Sequence, residues 1–528
     1  MKLYILSALL LITGSVCHAQ DITIRYDGAT VKVKQKTKDS VNVYVDGAKV
    51  SIESLYKSRQ LSLRMTGNSD DGLLNLKSDG KMKITLDGLT LTSQEGAPIC
   101  LKNKKKVEIA VAKGTKNTLA ITACNDTANH KAAVIWAKDK LLFSGKGSLN
   151  IIATGDGCRG IKTKKDIIIE DLTLNVTTSG DNLGEKPFGF GGFPGFDGEM
   201  PDFSSFPPFG NDSTRQGGFQ MPDFGGGFPP FGNDSTRQGG FQMPNFGGGF
   251  PPFGNDSTRQ GGFQMPDFGG GFPPFGNDST SEGGFLDFGG GFGGKHKYVA
   301  STKGIASKGK ITINSGNVTV RTSTAGAEGI EGKEGIVFNG GKVDVFATDD
   351  AINTNATIEF NGSHVIARSS TNDAVDSNPQ GGFFMPFGGN SEQETKPAVV
   401  ITGGTVYAWS QVGSPEEGID CDFAPLVIQG GTIFTVGGGM GEMPSVPTNE
   451  TAKQPAVLLI GLDIVKDEPI NIFDDSGKLI DSVTIPFAMR RSASLVGSPA
   501  FKLGSTYTVK TKGYEKSFTL SEPFTAVR

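Results

Sequence analysis

The stretch FATDDAINTNATIEFNGSHVIARSSTNDAVDSN, residues 346–378, sets two acid-bearing loops on either side of an apolar strand pattern. Taking a recurrent core Ile or Val as anchor, the positions two before it read Arg159, Lys303, Glu328, Asp350, Asp373 and Glu417. One after it they read Lys162, Ala306, Glu331, Asn353, Asp376 and Asp420, and three after it Lys164, Lys308, Lys333, Asn355, Asn378 and Asp422. Asp349 and Glu416 add carboxylates three before the anchor, so a basic zone adjoins an acidic one. Carboxylates stacked at about 4.8 Å repel by roughly 3 to 4 kcal/mol at an effective dielectric near 20, which favours a bound cation. Calcium suits the inventory, because it takes carboxylate, amide and backbone oxygens. The expected ligands are Asp349, Asp350, Asp373, Asp376, Asp420 and Asp422, with Glu328, Glu331 and Glu417 in the same columns. His130, His296 and His364 are out of phase with one another, which serves a transition metal poorly.

A second set of columns follows a glycine turn. There inward Val320, Val345, Ala367 and Ala408 leave Arg321, Phe346, Arg368 and Trp409 expected outward, with Tyr407 on the same face as Trp409. Aromatic faces and guanidinium forks along a flat ladder suit a polysaccharide, the rings stacking on sugars and the arginines pairing with uronate carboxylates. The sequence contains no GxSxG elbow and no HExxH pair to support carbonyl hydrolysis. One reaction keeps a candidate, β-elimination from a uronate, in which calcium acidifies the carbon beside the carboxylate and Lys333 takes the proton.

These columns need a repeating scaffold. A small residue followed by a branched apolar one recurs as Gly160-Ile161, Gly304-Ile305, Gly329-Ile330, Ala351-Ile352, Ala374-Val375 and Gly418-Ile419. From Ile305 the next anchors follow after 25, 22 and 23 residues, each interval holding an alternating strand and a tight Gly turn such as NSGN or NGGK. Such a unit cannot bury its own apolar face, whereas stacking at about 4.8 Å encloses a continuous core. The pattern predicts an all-β chain folded as a right-handed parallel β-helix.

Residues 1–19 read as a cleavable leader, with Lys2 before an apolar run and Ala19 at the cleavage site, so the protein is expected to be exported to periplasm, cell surface or medium. Losing Lys2 moves the formal charge from −4 to −5, which argues against nucleic acid. No later run is long and apolar enough to span a membrane. Residues 20–79 are expected to form an N-terminal β segment, 80–181 and 297–454 the two parts of the solenoid, and 455–528 a small C-terminal β cap. Between the solenoid parts, residues 182–296 repeat GNDST at a period of 22 without a Val or Ile, the composition of a disordered Gly/Phe/Pro-rich insertion. Cys100, Cys124, Cys158 and Cys421 leave room for one disulfide and none of the spacing of a zinc site.

The motifs AEGIEGK, TDDAINT, NDAVDSN and PEEGIDCD, with LTLTSQEGAPI and KGTKNTL upstream, resemble a family of bacterial calcium-binding, carbohydrate-binding β-helix domains. Its best-known member, from a cellulose-degrading clostridium, binds cellulose and polygalacturonate. The resemblance covers most of residues 80–510 outside the insertion. It implies a pectate-lyase-like fold, calcium on Asp349, Asp350, Asp373, Asp376, Asp420 and Asp422, and a monomeric, non-catalytic protein that binds acidic or plant cell-wall glycan. Asn353 and Asn372 depart from the acidic pattern. The alternatives are a calcium-dependent polysaccharide lyase and a surface adhesin whose β-helix is a rigid rod.

Overall fold

The computed structural model describes residues 21–36, 40–124, 131–186, 297–379, 396–439 and 444–528; the leader and nearly all of the insertion expected at 182–296 lie outside them. All regular structure among the described residues is β, and no helix there is long and apolar enough to cross a membrane.

Three parallel ladders dominate. In the 11-stranded sheet, Ile99–Asn103, Ala133–Ala137, Arg159–Thr163, Lys303–Ser307, Glu328–Gly332, Ile352–Thr354, Val375–Ser377 and Ile419–Asp420 pair in that order. A second ladder runs through Val107–Val111, Leu141–Gly145, Ile167–Ile169, Ile311–Ile313, Ile336–Phe338, Ile358–Phe360, Val399–Ile401 and Leu426–Ile428. The third joins Lys116–Ile121, Ser148–Ala153, Thr173–Thr178, Asn317–Thr322, Lys342–Ala347, His364–Ser369, Thr405–Ser410 and Thr432–Val436. Each strand therefore pairs with its own equivalent one repeat later.

The anchors hold the register. Ile161 opposes Ile305, then Ile330, Ile352, Val375 and Ile419, and all but Ile419 are fully buried. Pairing passes from Ile161 to Ile305 without a break, and the chain between them leaves and returns through antiparallel strands Leu183–Lys186 and Lys297–Ala300. The small residue before each anchor has a steric reason. A Cβ on Gly160, Gly304 or Gly329 would lie 2.3, 2.3 or 2.4 Å from the Cγ1 of Val176, Val320 or Val345 in the third ladder. Inside, Phe338 and Phe360 stack at 5.0 Å, extending the core along the ladders.

Parallel pairing also reaches into the segment before residue 80. Lys49–Ser54 pairs with Leu73–Ser78, and Leu61–Ser69 with Met82–Ser93. The hairpins Ile22–Asp27/Thr30–Gln35 and Val41–Asp46/Lys49–Ser54 close that end. At the other end, Ala456–Ile464, Met489–Gly497 and Phe524–Val527 join the third ladder through the antiparallel pair Phe434↔Val496. A four-stranded antiparallel sheet packs with them around a second core.

Candidate functional site

The outer face of the 11-stranded sheet carries the charged columns in register. Lys303 opposes Glu328, Ala306 opposes Glu331, and Glu331, Asn353, Asp376 and Asp420 then follow one another. This face is unusually dry for its charge: Lys303, Glu331, Asp350, Asp373, Asp376 and Glu417 are all buried.

At the basic–acidic boundary Lys303 Nζ lies 2.9 Å from Glu328 Oε2 and 2.8 Å from Glu331 Oε1, and Lys333 Nζ lies 2.6 Å from Glu331 Oε1. Burial works against each charge here, but Lys303 and Lys333 outweigh it at Glu331 and hold that carboxyl well below the usual range. Glu328 goes the other way: burial and the Glu331 charge exceed the pull of Lys303 and raise it. Of the expected metal ligands, Glu331 is thus committed to two lysines. Glu328 lies with Asp349 and Asp350 so that one oxygen from each falls within 4.8 Å of the others, a set that could hold a cation.

The two asparagines that break the acidic pattern work as donors between carboxylates. Asn353 Nδ2 donates to Asp350 Oδ2 at 2.7 Å and Asp376 Oδ2 at 3.0 Å, and Asn372 Nδ2 donates to Asp349 Oδ1 at 2.8 Å. Farther along, Asp373 Oδ1 accepts from the Glu417 N–H at 2.5 Å, and Glu417 Oε2 accepts from the Ser445 N–H at 2.6 Å. Burial, then the Asp420 charge, push Glu417 up to about 8; the same two causes raise Asp373, with Asp376 adding to them. Asp422 closes the group, its N–H bonding Asp420 Oδ1 at 3.0 Å. Beside it Phe423 is 78% exposed with a left-handed backbone, φ 65°. Among the described residues it is the large aromatic nearest the acidic end to face solvent. Alternation could not have flagged it, because it sits in a turn.

The residues expected to form a sugar-binding row are arranged otherwise. Arg321 Nη2 lies 2.5 Å from Asp344 Oδ2 and Arg368 Nη2 2.9 Å from Asp344 Oδ1, so one aspartate holds both guanidinium groups. Arg368 also covers the Phe346 ring, 5.6 Å from its centroid. Trp409 corrects the sequence expectation outright: it is only 4% exposed, part of the core shared with Phe434, Val457 and Val496, and its Nε1 donates to the Phe434 carbonyl at 3.2 Å. The C-terminal strands cover the end of the third ladder and take its outer face out of solvent. Tyr407 stacks on Trp409 at 5.6 Å and is half-buried by the same module. Lys333 is exposed, and its Nζ is held by Glu331 Oε1 at the edge of the acidic columns.

An all-β chain of stacked parallel ladders with a dry, charged outer face is the class these features define. A family model described as carbohydrate-binding domain-containing protein matches residues 46–186, 275–374 and 324–458, more than half of the chain, and the chain belongs to that family. A carbohydrate-binding domain-containing protein of Acetivibrio thermocellus is 29% identical over 145 residues, 26% of this chain and 50% of that protein. The chain thus spans about half the length of that relative. Among solved structures, the polysaccharide lyase-like protein from C. thermocellum, a gadolinium derivative, aligns at 16% identity over 66% of this chain and 91% of its own, with a TM-score of 0.36.

Proposed function

We propose that the chain is an exported, monomeric, non-catalytic protein that binds acidic polysaccharide, its three ladders forming a right-handed parallel β-helix and its acidic columns holding calcium. The observation that carries the reading is the registered stack of carboxylates, buried Asp350, Asp373 and Glu417 in one column and buried Asp376 with half-buried Asp420 in the next. Carboxylates pushed up by burial and by one another, as at Asp373 and Glu417, mark where a divalent cation stabilises most. Calcium there would neutralise the columns and offer its remaining coordination positions to uronate oxygens. Asp349, Asp350 and Glu328 are the first candidates, and Asp373, Asp376, Glu417, Asp420 and Asp422 the second, on their place in the columns.

The test is retention of the mature protein on polygalacturonate with calcium and then with chelator, following ultraviolet absorbance for unsaturated product. Calcium-dependent retention without product is expected. Product that disappears in Lys333→Ala would make the protein a lyase, and absence of retention in both buffers would favour the adhesin reading.

A further inference from the structure

On the first half of the 11-stranded sheet, the C-terminal end of each strand or the turn just after it places a lysine at the same level. Lys77 opposes Lys102 in register. Lys138 then donates its N–H to the Leu101 carbonyl, Lys164 to Ala137, Lys308 to Thr163 and Lys333 to Ser307. Each bond is the parallel pairing continued by one residue, so Lys77, Lys102, Lys138, Lys164, Lys308 and Lys333 form a single file of six, one per repeat at about 4.8 Å. All six are exposed. The terminal members are neutralised, Lys77 by Glu53 at 2.6 Å and Lys333 by Glu331 at 2.6 Å. The four between them, Lys102, Lys138, Lys164 and Lys308, form no salt bridge with a described carboxylate. Acids close to the file in sequence have other partners: Asp79 pairs with Lys104 at 2.8 Å, Asp166 pairs with Lys140 at 2.6 Å, and Asp139, next to Lys138, accepts the Lys140 N–H at 2.7 Å.

Four like charges held in file by a rigid ladder repel one another, and nothing in the packing of these exposed corners requires them. The backbone beneath is fixed: Thr163 Oγ1 donates to the Asp139 carbonyl at 3.0 Å and Ser307 Oγ to the Lys165 carbonyl at 2.6 Å. The file is therefore a row of cations carried on a fixed backbone, one per repeat.

We infer that this row is a docking track for a linear polyuronate, each ammonium meeting one carboxylate of successive sugars. A 1,4-linked uronate carries one charge per ring, and the span of a pyranose is close to the spacing of adjacent strands. The match in charge sign and period selects this occupant over a neutral glycan. The inference rests on the acidic-polysaccharide reading above and places the contact on a different surface from the Arg321, Phe346, Arg368 and Tyr407 row.

The experiment compares the full chain with the triple variant Lys138→Gln/Lys164→Gln/Lys308→Gln and with a charge-matched control, Lys466→Gln/Lys478→Gln/Lys502→Gln. Affinity for polygalacturonate and for its fully methyl-esterified form is measured over a salt series. The expected result is at least about a tenfold loss in the track variant, with a flatter salt dependence, no loss in the control, and weak binding of the ester by all three. Equal binding by track variant and control would overturn the track and leave the acidic-polysaccharide reading standing, whereas wild-type binding of the neutral ester alone would overturn both. Failure of the wild type to bind any glycan would overturn both. Thermal melts of both variants, expected at or above wild type, keep folding out of the comparison.

Discussion

Lys303 and Glu331 are ion-paired at 2.8 Å although their side chains are only 11% and 10% exposed, and Glu328 meets the same ammonium at 2.9 Å. Here the basic half of the sheet face joins the acidic half, and the cation sits inside the acidic columns. Burial opposes the Lys303 charge, but Glu328 and Glu331 outweigh it and raise its pKa.

Lys303→Met leaves two buried carboxylates facing each other, and should destabilise the fold by about 3 to 5 kcal/mol at pH 7. Urea unfolding measures this. The deficit should shrink by pH 4, where the variant can protonate one of the pair; a loss under about 1 kcal/mol at pH 7 would mean that water relaxes the site.

Glu331 and Glu417 have opposite linkages. The Glu331 carboxyl is depressed, so its contribution is full above the unfolded value of about 4.3 and disappears as pH falls below it. Glu417 is raised to about 8, so the folded state holds its proton more tightly, and stability decreases as pH rises from about 4.3 towards 8. In chelator, Glu417→Gln should raise Tm at pH 8 and leave it nearly unchanged at pH 4. Added calcium should raise the wild-type Tm at pH 8 more than that of the variant; identical shifts would remove Glu417 from the ligand set.

Trp409→Ala should cost about 3 to 5 kcal/mol, because it empties a packed site between the third ladder and the C-terminal strands. Below the lowered Tm, glycan affinity should match wild type. Lost affinity with unchanged stability would restore Trp409 as a sugar contact.

Cys124 hydrogen-bonds the Cys158 thiol, and this contact, followed by burial, pushes that thiol up. Glutathione disulfide should convert the two thiols slowly into a Cys124–Cys158 bridge with release of two glutathione molecules, detected by non-reducing peptide mapping. Closing a loop of this length should stabilise the fold by about 4 kcal/mol, read as a rise in Tm that reductant reverses. A mixed disulfide at Cys124 without the bridge would show that the sulfurs cannot reach bonding geometry.

The sequence by itself determined the repeat. A small residue followed by Ile or Val is a local signal, and its spacing placed Ile305, Ile330, Ile352 and Val375 in the register the ladders adopt. It also placed the acidic columns on one face, since residues at equal offsets from paired anchors must stack. Ile99, Ile135 and Ile161 belong to the same series although they are 36 and 26 residues apart, so Lys102, Lys138 and Lys164, each three after its anchor, stack by the same offset, and the ladder pairs those anchors. Tertiary structure alone decided which outward residues meet solvent. Trp409 alternates outward like Phe346, yet it is buried because strands some fifty or more residues later dock over it. Arg321 and Arg368 occupy the positions expected of sugar contacts, yet Asp344 on the intervening strand takes both. Alternation states which side of a strand a residue faces; what covers or neutralises that side comes from distant chain, through contacts that no local pattern encodes.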